Sequence, residues 1–107
     1  MRDGYVYLIG VNGDNGMYKI GVTCAKDLNQ RIKQLQTGNG NELILVNSFK
    51  SSKPYKMETM LHNRFQEQRE REDGEWFLLS NEQVNEFTSI CEQYQSIIDS
   101  LENNPFF

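Results

Sequence analysis

The chain has 107 residues, 37% of them hydrophobic and 24% charged, and a formal net charge of −4 at pH 7. This length supports one domain with one core, burying roughly 60–70% of the surface that the unfolded chain exposes. The acidic balance argues against a broad non-specific nucleic-acid footprint, which shows as a basic domain, and no apolar run approaches the ~18 residues of a membrane span. The N-terminal MRDGYVYLIG has no apolar segment of signal-peptide length and no small-residue cleavage site, so a cytoplasmic protein is expected, in the host cell if the source is viral.

The charge is unevenly spread. Residues 50–71 carry Lys50, Lys53, Lys56, Arg64, Arg69 and Arg71, while Glu82, Glu86, Glu92, Asp99 and Glu102 crowd the C-terminal part. An acidic end of this kind can mask a basic face. The two cysteines, Cys24 and Cys91, have no metal-type spacing and read as free thiols, and the single His62 argues against a structural zinc site.

In chain order, residues 4–11 and 17–23 are rich in Val, Ile and Tyr and are bounded by Gly and Asn, so they read as antiparallel strands joined by a polar loop over 12–16. Alternation places Tyr5, Tyr7 and Ile9 on one face of the first strand. Tyr18 and Ile20 share a face of the second, and Lys19 and Gly21 share the opposite one. Whether Tyr7 and Lys19 meet depends on pairing register.

Residues 26–37 read as a helix with an apolar stripe of Leu28, Ile32 and Leu35, with Arg31 at the stripe's border and Gly38 at the C-cap position. ELILVNSF, residues 42–49, reads as a third strand. Lys53-Pro54 opens a second helix over about 55–70, with a stripe of Met57, Leu61 and Phe65; Glu58 and His62 stack one turn apart at its edge. GEWFLL, residues 74–79, is a short strand or turn. Ser80 with Gln83 has the form of a capping box and starts a last helix over 81–102. There Val84, Phe87, Cys91, Tyr94, Ile98 and Leu101 repeat with heptad spacing, which serves either packing on the chain's own domain or a dimer seam.

Each polar residue has an ordinary explanation when taken alone. Strand tyrosines pack, an arginine beside a stripe lays its stem along the core, and a Glu–His pair on a helix is usually solvated. Their order along the chain is more informative. GYVYLIG, KIG, LNQRIKQLQTGN, METMLHNRF and GEWF together resemble the GIY-YIG nuclease superfamily over about residues 4–79, in particular a phage and meiotic-gene branch of it. In that resemblance Tyr7 takes the tyrosine of the first tripeptide, with Tyr5 as the shifted alternative. Lys19-Ile20-Gly21 takes the second tripeptide, with lysine where most members have tyrosine. Arg31 in Leu28-Asn29-Gln30-Arg31 matches the family's helix arginine, and Glu58 its metal-binding glutamate. An asparagine that some members place near the end of the module has no counterpart here.

The resemblance implies a metal-dependent endonuclease acting on DNA, structure-directed or weakly sequence-specific, with Mg2+ or Mn2+ held by Glu58 and RNA left open as a substrate. Phosphodiester hydrolysis needs an activated water, neutralised charge at the phosphoryl oxygens and a stabilised leaving oxygen. An arginine such as Arg31 can fork onto a phosphate. A free tyrosine hydroxyl titrates near ~10, so proton transfer near neutrality needs a neighbouring positive charge, which Lys19 can supply. His62 is expected to contact the phosphate or orient Glu58. Tyr18, Arg64 and Arg69 are expected to bind substrate. The fold expected is α/β of the α+β type: a small three-stranded antiparallel sheet flanked by helices, with an additional C-terminal helix. Residues 1–79 would form the nuclease-like module and 80–107 the helix that packs on it or pairs two copies. The other reading is a non-catalytic nucleic-acid-binding or protein-interaction module on the same fold.

Overall fold

GYVYLIGV forms strand β1, Gly4–Val11, and DNGMYKIGVT forms β2, Asp14–Thr23, in a computed structural model that describes residues 3–24, 28–38, 40–70 and 74–102. The two strands pair antiparallel with Tyr7 opposite Gly21, Ile9 opposite Lys19 and Gly10 opposite Tyr18. Opposed residues of an antiparallel pair share a face. One face therefore carries Tyr5, Tyr7, Ile9, Lys19 and Gly21; the other carries Val6, Leu8, Tyr18, Ile20 and Val22. The connection is tighter than the loop expected over 12–16. Only Asn12 and Gly13 lie between the strands, and Gly13 takes φ 87°, a conformation that costs a non-glycine residue. Asn12 fastens the turn to Glu42 through backbone (2.9 Å) and side-chain (2.8 Å) hydrogen bonds. The register slips between Gly10 and Val11, which absorbs the extra residues of β2.

Strand β3, Leu43–Ser51, pairs with the outer side of β1. The expected three-stranded sheet is corrected here: Trp76–Leu78 forms a fourth strand, β4, antiparallel to Met17–Lys19, and the order is β3-β1-β2-β4. A three-residue strand is too short to show alternation, so its apolar run is ambiguous until β2 offers it a ladder.

Helix α1, Leu28–Thr37, lies over the Tyr7 face, where its half-buried Leu28, Ile32 and Leu35 pack on Tyr7, Ile9 and Leu43. The expected helix start at 26–27, like Arg71, lies outside the described residues. Among the described glycines only Gly13 has positive φ, so Gly38 does not make the left-handed cap expected of it. Gln36 instead ties the helix to β3, its amide bonding Asn41 O (2.8 Å) and the Leu43 N–H (2.7 Å).

Helix α2, Pro54–Arg64, starts with Pro54 in its first turn, where the missing N–H costs nothing, and covers the opposite face with Met57 and Leu61. It ends earlier than 70. Phe65 turns inward to the core, a 3-10 turn follows at Gln66–Gln68, and Arg69 then bridges Phe77 in extended backbone. Ser80 and Gln83 make the expected reciprocal capping box at α3, Asn81–Asn85. The last helix divides at Glu86, and α4, Phe87–Glu102, follows. Phe87, Ile90, Cys91 and Ile98 of α4 join Val6, Leu8, Ile20, Met57, Leu61 and Phe77 in the main core, with Val84 and Tyr94 alongside. Each large side chain fully buried there contributes roughly 1.5–3 kcal/mol. The heptad stripe thus packs mainly on its own domain, with Leu101 left 38% exposed. No helix of the described residues is long and apolar enough to cross a membrane.

Candidate active site

Beyond its pairing with β4, strand β2 presents an open edge. Ile20 turns both backbone polar groups toward it. Its N–H donates to Glu75 O (3.0 Å), and its carbonyl accepts from His62 Nε2 (3.0 Å). A carbonyl can only accept, so Nε2 carries a proton. Burial is the main force lowering the His62 pKa, which favours the neutral form. The ring also tilts over Phe77, 5.0 Å between centroids. His62 therefore joins α2 to the β2 edge.

Glu75, just before β4, sits at the centre of the charges. Its Oε2 is 2.6 Å from Lys19 Nζ, and the Lys19 ammonium also lies 5.8 Å from the centre of the Trp76 ring. Glu58 reaches the same place from α2. Its pKa is raised to about 7, first by burial, then by repulsion from Glu75 and a hydrogen bond shared with it; Lys19 opposes the rise. Glu58 Oε2 is buried and has no hydrogen-bond partner among the described residues. The repulsion between two neighbouring carboxylates is relieved by a proton or by a cation. Glu58 alone, or Glu58 with Glu75, would hold a hard divalent ion, which takes one or two carboxylates and completes its shell with water and phosphate oxygens. The described residues contain no group of three or more His, Cys, Asp and Glu placed to enclose a metal.

The register brings Tyr7 and Lys19 onto one face as diagonal neighbours. Tyr7 is 1% exposed, and its hydroxyl lies over Gly21: a Cβ built there would stand 2.4 Å from Oη. The glycine after Lys19-Ile20 is thus the space that the Tyr7 ring occupies. Arg31 projects from α1 into a cleft of about 280 Å³, lined also by Val22, Thr23, Cys24, Gln34 and Tyr55. Tyr55 lies within electrostatic reach of Glu58 and Arg31; a hydrogen bond with Cys24 is the main cause of its raised pKa. Arg31, Tyr55, Glu58, Glu75 and Lys19 therefore form one neighbourhood around the β2 edge, with Tyr7 beneath it.

The other expected substrate contacts lie elsewhere. Tyr18 is on the face opposite Tyr7, beside a hollow of about 190 Å³ with Gly10, Ile44 and Val46. Arg64 donates to Tyr94 Oη (3.3 Å) on α4. Arg69 lies 5.4 Å from the centre of the Phe77 ring, close enough to His62 to act on its charge. Sequence reasoning missed Tyr55 and the role of Glu75. Tyr55 had a signal: Tyr55, Glu58 and His62 follow i, i+3, i+7 on one side of α2. Glu75 had none beyond its place in GEWF.

Comparison with known families corrects the resemblance drawn from the short segments. The family model that matches is the T5orf172 domain, over residues 4–92, and the GIY-YIG family gives no match. The tripeptides are short strand pieces, and the second has Lys19 paired with Glu75 where that family would place tyrosine. Comparisons with curated proteins and with solved structures give no match. With its matched region running from β1 into α4, the chain belongs to the T5orf172 domain family, a family of nuclease-like and DNA-binding domains.

Proposed function

We propose that this protein is an endonuclease that hydrolyses DNA phosphodiester bonds with Mg2+ or Mn2+. The observation that carries the reading is the buried Glu58 Oε2 without a hydrogen-bond partner among the described residues, in a carboxyl group that neighbours Glu75 and lies near the cleft that holds Arg31. Arg31 binds the phosphate through its guanidinium fork. Glu58, with Glu75 in reach, holds the ion, which when bound supplies positive charge at the phosphoryl oxygens and acidifies water. Lys19, held by its ion pair with Glu75, shares the sheet face of Tyr7, so the two side chains can act on the same substrate phosphate. His62 positions α2, and with it Glu58, through its bond to Ile20.

The net acidity is compatible with a DNA substrate because of where the acids lie. Glu82, Glu92, Asp99 and Glu102 are exposed on α3 and α4, with Glu86 exposed at the joint between them, and these helices pack on the face opposite α1. Lys50 lies near the end of β3, Lys53 at the N-cap of α2 and Lys56 in its first turn, next in sequence to Tyr55 of the cleft. Supercoiled plasmid and branched DNA incubated with Mg2+, Mn2+ or chelator test the proposal. Cleavage that requires the ion supports it. A folded protein that retains DNA without cutting any substrate would favour the binding module instead.

A further inference from the structure

Tyr55 is 61% exposed, the highest value among the large hydrophobic residues exposed in the described chain, yet it is not loosely held. Its hydroxyl neighbours Cys24, which lines the same cleft. Its backbone follows the buried Pro54, and the Lys53 N–H before that donates to the buried Ser51 Oγ (3.0 Å), itself bonded to Gln95 of α4 (2.6 Å). Pro54 and Cys24 also close on Gly4, where a Cβ would stand 2.9 Å from Pro54 Cγ and 3.2 Å from Cys24 Sγ. The ring is thus fixed at the cleft, one helical turn before Glu58 and with Arg31 in the same lining.

An aromatic ring held open to solvent beside a phosphate-binding arginine has the chemistry of a base-stacking platform. A base paired within a duplex is already stacked on its neighbours and presents only its edge. An unpaired base can leave that stack and lay its face on the ring. We infer that Tyr55 stacks an unpaired base next to the phosphate bound by Arg31, and that the substrate class is DNA with a single-stranded segment at the cutting point, such as a flap, gap or fork. This rests on the hydrolase reading for the place of the phosphate and adds what the site selects. Stacking is indifferent to base identity, so cutting follows DNA structure and not sequence.

The test separates binding from cutting. Full-length protein is titrated in chelator with a single strand and with a duplex, each bearing one fluorescent purine analogue, for wild type, Tyr55→Phe and Tyr55→Ala. Tighter binding of the single strand is expected, with quenching of the analogue. Tyr55→Phe keeps the ring and retains both. Tyr55→Ala abolishes the quenching and weakens single-strand binding roughly 5- to 150-fold, the range found when one stacking aromatic is removed, while duplex binding changes little. Tyr55→Ala binding and quenching like wild type would overturn the inference, as would an equal loss on single strand and duplex. Plasmid cutting by the same preparations keeps the two readings apart. Ring-dependent single-strand binding without any cutting supports the platform and overturns the hydrolase. Cutting that is indifferent to Tyr55 and to strand structure overturns the platform alone.

Discussion

Gly21→Ala reverses the sign that a strand glycine normally gives. Adding a methyl group at an unobstructed position narrows the unfolded ensemble and stabilises by about 0.4–1 kcal/mol. At Gly21 the new Cβ would stand 2.4 Å from Tyr7 Oη, 2.6 Å from Cζ and 2.8 Å from Cε1. The Tyr7 ring is 1% exposed and lies under the Leu28, Ile32 and Leu35 stripe of α1, so it has no open space to swing into. Overpacking of a buried site costs about 1–3 kcal/mol, which exceeds the entropic gain. The expected result is a net loss of about 1–2 kcal/mol, or roughly 5–15 °C in Tm for a domain near this size, together with loss of cleavage as the Tyr7 hydroxyl is displaced. Tyr7→Phe removes only the closest of the three atoms, so it should relieve part of the clash, and the pair should couple by more than about 0.5 kcal/mol. Thermal unfolding of wild type, both single variants and the double variant reads all of this. A Gly21→Ala protein as stable as wild type, or more stable, would refute the placement of the Tyr7 ring and with it the reason for the glycine.

Four further outcomes follow from the site and the core. The folded-state pKa of Glu58, about 7, lies above its ordinary 4.5, so the folded protein holds the extra proton between those values. Stability therefore falls as pH rises through that window and is level above it. Glu58→Gln removes the fall, and melts at pH 8 should show a gain of about 1–3 kcal/mol over wild type that vanishes near pH 4.5. Glu75→Gln removes the repulsion that helps raise Glu58, so the midpoint of the same pH-dependent fall should move to lower pH in a series of melts. Of the two cysteines, Cys91 is fully buried with its thiol pushed up to about 12, and Cys24 is half-buried at the cleft. Thiol titration near pH 8 should find one reactive group in the native protein and two in denaturant, and two fast groups in the native protein would contradict the burial. Ser80→Ala removes the Oγ that accepts from the Gln83 N–H, one of the two bonds of the capping box, and should cost about 1 kcal/mol by chemical denaturation, with no change in cleavage.

How much of this could be read from the chain depended on the reach of each signal. β1, β2, β3 and the helix stripes declare themselves because their periods run for seven residues or more, and the Ser80–Gln83 box is local by construction. β4 is three residues long and exists as a strand only where Met17–Lys19 receives it. The shared face of Tyr7 and Lys19 is a matter of register, which hydrogen bonds between distant residues decide. The end of α2 was set by Phe65, whose burial in the core stops a helix that propensity alone would continue. Within the site, Tyr7, Arg31 and Glu58 could be singled out from their segments. Glu75 could not, because its partners Lys19 and Glu58 are 56 and 17 positions away and nothing local marks it. The heptad-like stripe of α4 shows the opposite failure: a clear pattern with two uses, which only the packing on Val6, Leu8 and Met57 distinguishes. The short tripeptides suggested one family, and the longer match over residues 4–92 assigns another.

The central claim is that the Glu58 carboxylate serves cleavage at the cost of stability, and the single-turnover rate of Glu58→Gln with Mg2+ on branched DNA tests it most directly. The substitution keeps the side chain's shape and removes its charge. A fall of about 100-fold or more in rate is expected, the size of effect when one preorganised charge is lost from such a site, in a protein that melts higher than wild type at pH 8. Glu58→Gln cleaving at the wild-type rate would contradict the claim.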